Sequence, residues 1–452
     1  MRNTNSFSPL ERRAVASIAG LYGLRMLGLF MVLPVLALFI EDYSGATPML
    51  LGVAIGVYGL TQALLQIPLG LMSDRIGRKP VILAGLLIFI LGSVVAALAE
   101  SVSGIIIGRA LQGAGAIAST LMALVADVTS EQNRTKAMAS IGGSIGFAFL
   151  LAMIAGPVIS GFFGLSGVFW TTALLGGLGF LWAWIKVQAP PVVGAVNRET
   201  QTVPAMLGET LKDGRLLRLD VGIGLLHLIL MASFVAVPTI LESQLGFARA
   251  SHWWIYLLLL GGSFLAMIPA IIVAEKGGKM KPVFLGAIAL AALSLAGFSQ
   301  GFESVVPALA LLFTFFMAFN LLEASLPSLV SKTAPAGTRG TAMGVYSTSQ
   351  FLGTFMGGIL GGWLIQQVGV EGLFLALSGL AAVWWLLAST MESPRTLSGV
   401  VLKYQDGDGY LLELEALPGV EQVVMAPEEQ RVYAKIDKKE VDWERLQPYL
   451  WH

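Results

Sequence analysis

"IPLGLMSDRIGRKPVIL" (residues 67–83) sets Asp74, Arg75, Arg78 and Lys79 between two long apolar runs. Elsewhere charge is sparse. Of the 452 residues, 56% are hydrophobic and 12% charged, and the mean hydropathy is +0.77. A soluble domain is charged at roughly one residue in four, so this chain cannot cover its apolar surface in water and belongs in a bilayer. The stretch is then a short polar joint between two membrane crossings.

Working outward, a crossing takes about 20 apolar residues as a helix. The runs that qualify are 14–39, 48–72, 80–99, 103–126, 136–162, 167–187, 219–243, 252–274, 281–299, 304–330, 340–366 and 370–390. They are too long and continuous for barrel strands. The first is too long for a signal-peptide core and reads as retained. Loop cations orient the chain. Arg2, Arg12 and Arg13 precede the first run, and the even-numbered loops hold Arg75, Arg78 and Lys79, then Arg134 and Lys136, Lys212, Arg215 and Arg218, Lys276, Lys279 and Lys281, and Lys332 and Arg339. The odd-numbered loops hold mainly acids, Glu41, Asp42, Glu100, Glu242, Glu303 and Glu371, with Arg249 the exception. Both termini are expected in the cytoplasm.

The polar segment 188–218 separates six runs from six, and the halves repeat. "IPAIIVAEKGGKMKPVFL" from Ile268 matches the opening stretch, aligning Pro68 with Pro269, Asp74 with Glu275, Gly77 with Gly278 and Arg78 with Lys279. "NRTKAMASIG" aligns with "TRGTAMGVYS", pairing Arg134 with Arg339, and Gly156 then falls opposite Gly361. Parallel repeats of this kind suggest a transporter with its site between them. The expected units are a bundle over 1–187, a linker over 188–218, a second bundle over 219–390 and a soluble domain over 395–452. In the last, "SGVVLKY", "VEQVVMA" and "RVYAKI" read as strands, "DGYLLELEAL" and "VDWERLQPYL" as helices, and "PEEQ" as a tight turn. That β-α-β-β-α order predicts a small ferredoxin-like sandwich. Its histidine is His452, so regulation or protein contact fits it better than a metal site, with simple stabilisation the plain alternative.

Gly70-Leu71-Met72-Ser73-Asp74-Arg75-Ile76-Gly77-Arg78-Lys79 resembles the signature loop of the major facilitator superfamily, roughly G-x-L-a-D-r-x-G-r-k, and lies where that family has it. The resemblance covers residues 14–390. It implies an all-α membrane protein of two six-helix bundles, here with the small α+β domain appended, in a bacterial inner membrane. Asp74 and Arg78 are spaced to pair on a helical turn, and Gly77 permits a tight joint. Asp127, closing the fourth run on the same side, is placed to hold Arg78. In the related fold Asp74 faces the start of the eleventh span near Gly340, where an acid suits a helix N-terminus. Asp74, Arg78 and Asp127 would then latch the two halves on the inner side. Arg75 and Lys79 are explained as well by the positive-inside rule; the two acids are not. The copy at Glu275 and Lys279 predicts a weaker clasp to the fifth span.

Ionisable residues inside spans are costly and point to function. Arg109, Gln112, Gly113 and Gly115 resemble the family's R-x-x-Q-G-x-G segment, which in relatives is associated with proton coupling. Arg109 cannot carry the proton itself but can act on a nearby acid, or simply pin helices; Arg25 in the first run reads either way. Glu323 is the acid well inside a run and suits a proton carrier. His227 is the side-chain type that exchanges protons near neutral pH, though a lone histidine on an apolar helix is more often a packing residue. Gln62, Gln66 and Asn320 offer contacts to a substrate or bonds between helices. "AGPVISG" (155–161) resembles the family antiporters' G-P-x-x-G-G element, with Ser160 in place of one glycine. Gly156 and Gly161 are expected at close packing and Pro157 at a bend.

The leading expectation is a proton-coupled antiporter exporting drug-like, amphipathic molecules through walls rich in Met, Phe and Leu. The alternatives are a facilitator or symporter of a small polar solute, and a transporter-derived sensor signalling through residues 395–452. The expected partners are a small-molecule substrate, protons and the bilayer, with a cytoplasmic contact through the terminal domain and no nucleic acid. No Walker loop, metal cluster or nucleophile triad points to an enzyme, a metal or a cofactor, and with no cysteine there is no thiolate site.

Overall fold

The structure is a computed structural model. It describes residues 7–129, 131–187, 203–275, 277–301, 304–392, 397–405, 408–437 and 440–450. Arg2, Lys276, Glu303, His452 and positions 188–202 of the expected linker lie outside the described residues.

The membrane part comprises α1 (Pro9–Phe30), α2 (Leu36–Phe39), α3 (Pro48–Ile76), α4 (Arg78–Ala97), α5 (Val102–Ala114), α6 (Ala118–Asp127), α7 (Glu131–Lys186), α8 (Pro204–Thr210), α9 (Gly214–Thr239), α10 (His252–Tyr256), α11 (Gly262–Glu275), α12 (Met280–Phe298), α13 (Val305–Thr333) and α14 (Arg339–Ser389). Among the described residues, ten helical segments are long and apolar enough to cross a bilayer. Two of these segments, Lys136–Lys186 and Arg339–Ser389, have 51 residues each. A straight helix of that length would run about 76 Å, more than twice the hydrocarbon core. Each instead folds back on itself at a glycine. Gly164 has φ 64°, ψ −169° and Gly369 φ 73°, ψ −173°, a backbone region open essentially to glycine alone.

Packing confirms the reversals. Ser144 faces Gly23 and Gly156 faces Met31, so the first limb of α7 runs parallel to α1; Thr172 packs on Gly28 and Gly179 on Leu21, so the second limb runs back. The second half repeats this. Gly353, Gly357 and Gly361 ride on Gly224, Leu228 and Ala232 of α9, while Trp384 meets Gly222 and Arg218 donates to the carbonyl of Thr390. Counting each limb, the ten segments give the twelve crossings expected, and Gly164 and Gly369 share the sequence offset of Arg134 and Arg339.

Two crossings expected as continuous are broken. The first stops at Phe30, four residues before Pro34, whose ring excludes the carbonyl of that residue and which has no N–H to donate; α2 follows after a turn. The fourth breaks over Gly115–Ile117 between α5 and α6. Helix α9 starts at Gly214, capped by Asp213, inside the stretch read as linker.

The two bundles meet along α3 and α14, which run antiparallel. Contacts pass from Pro48 and Met49 against Gly362, through Gly52 against Gly358 and Gly56 against Phe355, to the hydrogen bond from Gln66 to Thr348. Gly52 has no room for a Cβ, which would sit 2.1 Å from the Gly358 carbonyl oxygen. At the end far from residues 73–79, α2 also packs on α9 and α10 on α7. Arg249, the exception to the loop-charge pattern, lies there with its guanidinium 4.9 Å from the Phe39 ring and 2.7 Å from Glu242. That end is sealed.

The terminal domain forms β1 (Leu397–Lys403), α15 (Asp408–Glu415), β2 (Val420–Ala426), β3 (Arg431–Asp437) and α16 (Trp443–Leu446). The sheet order is β1-β3-β2, antiparallel at both pairings, so β1 and β2 are parallel and joined by α15, the split β-α-β arrangement expected. The last helix is shorter than the sequence suggests, and Leu450 bridges to Leu402 on the free edge of β1.

Candidate functional site

The charged joint is a single residue. Helix α3 ends at Ile76, Gly77 turns at φ 96°, and α4 begins at Arg78. Arg78 is buried. Its Nε lies 2.9 Å from Asp127 Oδ2, its Nη1 donates to Ser73 Oγ at 2.7 Å, and it pairs with Asp74. Ser73, unremarked in the sequence, completes the set and donates to the carbonyl of Gly70. Lys79 caps the end of the sixth crossing through the Trp184 carbonyl at 2.7 Å, and Arg75 is exposed. The structure thus unites Asp74, Arg78 and Asp127, but within the first bundle, tying α3, α4 and α6. Among the described hydrogen bonds and ion pairs, none joins residues 70–79 to the second bundle. The copy differs in polarity. Glu275 is held by Lys332 of α13 at 2.8 Å and by Ser328, and among the described residues no bond ties it to the fifth crossing, so here the acid belongs to the joint and the base ends the partner helix.

In the first bundle, Arg25 and Arg109 grip one tyrosine. Arg25 Nη2 bonds Tyr58 Oη (3.0 Å), Gln62 Oε1 (2.9 Å) and the carbonyl of Gly115 (3.1 Å). That carbonyl lies at the break between α5 and α6, where the helical ladder leaves acceptors open. Arg109 lies over the Tyr58 ring at 5.2 Å and bonds Ala54 and Gln112, and Gln112 donates to Ser93. Among the described residues neither arginine pairs with a carboxylate. Gln62 is thereby a helix-to-helix bond, and Asn320 likewise bonds Ser263.

The second bundle brings two candidates together. His227 Nε2 of α9 lies 3.8 Å from Glu323 Oε2 of α13, and Gln350 of α14 reaches both, 2.9 Å to His227 Nε2 and 3.3 Å to Glu323 Oε1. His227 Nδ1 is 3.3 Å from the carbonyl of Ile223. If it donates there, Nε2 is free to accept from Gln350. Glu323 is half-buried, with Oε2 buried and unbonded. Gln350 carries no charge, so nothing in the sequence marks it. The arrangement holds two ionisable side chains on one neutral amide, on three helices of one bundle.

In the fifth crossing, Gly156 lies against the Met31 carbonyl, at the break in the first crossing. Gly161 does not pack closely as expected: a Cβ there meets nothing within 4 Å. Ser160 Oγ donates to the Pro157 carbonyl.

The terminal domain sits on the joint between α13 and α14. Lys435 Nζ donates to the carbonyls of Lys332 (2.7 Å) and Ser331 (3.3 Å), a cation at the negative end of α13. Gln422 accepts from the Ala336 N–H at 3.2 Å, and Tyr433, Val401 and Ala426 pack around Ala336. Burial, then its 2.5 Å hydrogen bond to Glu429, holds the Tyr433 phenol well above its ordinary range.

A model of the Major Facilitator Superfamily matches residues 18–358 and 219–404. The chain is 47% identical over 445 residues to the inner membrane transport protein YajR of Escherichia coli (strain K12), covering 97% of each chain. It is 26% identical over 356 residues to the multidrug resistance protein MdtH of Aeromonas salmonicida (strain A449), covering 77% of this chain and 86% of that one. Among solved structures, the nucleoside transporter NupG matches with a TM-score of 0.67 at 17% identity, covering 84% of this chain and 99% of that one, a likeness of fold.

Proposed function

We propose that this chain, a multi-pass membrane transporter belonging to the Major Facilitator Superfamily, is a proton-driven exporter of amphipathic, drug-like molecules that works by alternating access in a bacterial inner membrane. The observation that carries the reading is the His227–Gln350–Glu323 set. The amide holds side by side a carboxyl and an imidazole, two groups that can each take up a proton, and a change of charge inside one bundle alters what that bundle tolerates in a low-dielectric cavity. The kinship with a multidrug resistance protein supports export of varied apolar compounds. The seal at one end, with no bond among the described residues joining Asp74 to the second bundle at the other, supports a state whose mouth opens beside residues 73–79. In that state the latch is disengaged between bundles, and the Asp74–Arg78–Asp127 set keeps its half ready to close. The positive-inside pattern supports a cytoplasmic mouth.

The test is transport by the purified protein in proteoliposomes, screened over lipophilic cations and dyes under an imposed pH gradient. The reading predicts flux of some of these compounds against the proton gradient, collapsing with a protonophore. Flux indifferent to the gradient would overturn it.

A second reading has its own support. Lys435 and Gln422 fasten the terminal domain to the joint that leads into α14, the helix that packs on both α3 and α9. A domain so placed can report the position of the second bundle. Truncation at 395–452 separates the readings: a pump keeps its flux, a sensor loses its output.

A further inference from the structure

Helix α1 and the first limb of α7 press together toward the sealed end and part toward the charged joint. A Cβ on Gly156 would lie 2.4 Å from the Met31 carbonyl oxygen. Nearer the joint, a Cβ on Gly23 would come no closer than 3.8 Å to Ser144, and one on Gly20 would meet nothing within 4 Å. The gap is a groove of about 350 Å³, in the size range of a ligand pocket. Gly20, Gly23 and Leu27 of α1 line it, with Phe147 and Leu151 of the first limb of α7 and Trp182 of the second. Phe147 is 63% exposed and Trp182 43%, so the groove opens sideways, where a transporter meets lipid.

The polar groups along the groove are turned on the protein itself. Ser144 Oγ donates to the Ile141 carbonyl at 2.7 Å, and the Trp182 indole N–H to the Ser17 hydroxyl at 2.9 Å. The Trp182 bond also fixes a register. The second limb of α7 runs antiparallel to α1, with Gly179 against Leu21 and Trp182 on Ser17. One turn further toward the joint come Arg13 on α1 and Lys186 on α7, which therefore fall at the same level. Both are exposed, and among the described residues no side-chain hydrogen bond or ion pair engages either. Lys136 of the first limb lies near that level too, since Asn133 bonds Glu11 and Ser144 faces Gly23. Glu11, the acid at this end of α1, is bonded to Ser8 and Asn133. From Arg13 to Leu27 is about 21 Å along the axis of α1, roughly the depth of one leaflet with its headgroups. An apolar slot with cations above it matches an anionic amphiphile aligned with the leaflet.

We propose that this groove holds one acyl chain of an anionic phospholipid, with the phosphate on Arg13 and Lys186. The lipid belongs to the leaflet beside residues 73–79, the cytoplasmic one in the orientation proposed above. Its chain completes the packing that Gly20 and Gly23 leave open between α1 and α7, and its headgroup ties the inner end of the first bundle to the membrane surface. A zwitterionic lipid carries its own cation to the same place and binds less well. The site lies in the first bundle alone, so it does not depend on the reading of the His227–Gln350–Glu323 set.

Native mass spectrometry of the full-length protein in detergent, titrated with phosphatidylglycerol or with phosphatidylcholine of the same chains, counts the lipids retained. The wild type is expected to keep one phosphatidylglycerol in preference to phosphatidylcholine. Arg13→Gln combined with Lys186→Gln should abolish the preference and weaken phosphatidylglycerol roughly thirtyfold. Gly20→Leu fills the groove without a clash and should lose the lipid while the Tm holds. The charge variant lies on the surface and keeps the test decisive should Gly20→Leu fail to fold. Retention of phosphatidylglycerol by either folded variant as by the wild type, or equal retention of the two lipids by the wild type, would overturn the proposal. A groove that Gly20→Leu closes to a transported compound but not to lipid belongs to that compound, which overturns it as well.

Discussion

His227 and Glu323 stand 3.8 Å apart on α9 and α13, with the side-chain amide of Gln350 touching both. Gln350 Nε2 donates to both, so the contact with His227 needs a neutral imidazole whose Nε2 accepts, while Glu323 accepts with its carboxyl or its carboxylate. A proton on His227 Nε2 would set donor against donor and break that contact, so a change of protonation changes the geometry of the set, which is what a coupling site requires.

Glu323→Gln keeps the shape and removes the titration. Efflux by this variant should lose its dependence on the pH gradient while substrate exchange without a gradient continues. The check is paired flux measurements in proteoliposomes with and without the gradient. Retained dependence would move the carrier elsewhere.

Arg78 is the buried member of its set, and its two carboxylates are only part-buried. Arg78→Gln leaves both acids without their cation and should lower stability by about 3 kcal/mol, read as a fall in Tm of the purified protein. Arg78→Lys should recover only part of it, because one ammonium cannot reproduce the guanidinium's fork. Asp74→Asn keeps Arg78 bonded to Asp127 and Ser73, so expression should stay near normal while transport falls. Unchanged flux in that variant would remove the latch.

Gly164 and Gly369 isolate a backbone effect. A Cβ at Gly164 meets nothing within 4 Å, so Gly164→Ala introduces strain without a clash. Each Gly→Ala substitution should cost about 1–3 kcal/mol through φ and ψ alone. Thermal unfolding of the two single variants checks this; a Tm equal to wild type would mean the reversals form some other way.

Lys435→Ala removes the cation at the end of α13 and should loosen the terminal domain, exposing residues 397–437 to protease while leaving the crossings intact. Limited proteolysis measures it directly. Unchanged protection would show that the apolar contacts of Tyr433, Val401 and Ala426 hold the domain alone.

The crossings were legible because lipid leaves the backbone few choices, and the terminal β-α-β-β-α order because its strands alternate cleanly. The break at Pro34 was not, since the apolar run continues through it and hydropathy does not register a missing N–H. Asp74, Arg78 and Asp127 could be grouped from one helical spacing and one helix end. Ser73 was missed because a serine carries no charge to notice. Gln350 was missed for the same reason. The target of the Glu275 clasp was misplaced because the repeat reverses the sign of its partner.

The central claim is that the bundles rock, one end closing as the other opens. The chain has no native cysteine, so spin labels can be placed freely. Pulsed electron–electron distances between labels at positions 46 and 367, at the sealed end, and at 76 and 343, beside the charged joint, test the claim most directly. Opposite changes in the two distances, on binding of a transported compound or a shift of pH, are what the account predicts. Two distances that stay fixed, or that lengthen together, would contradict it.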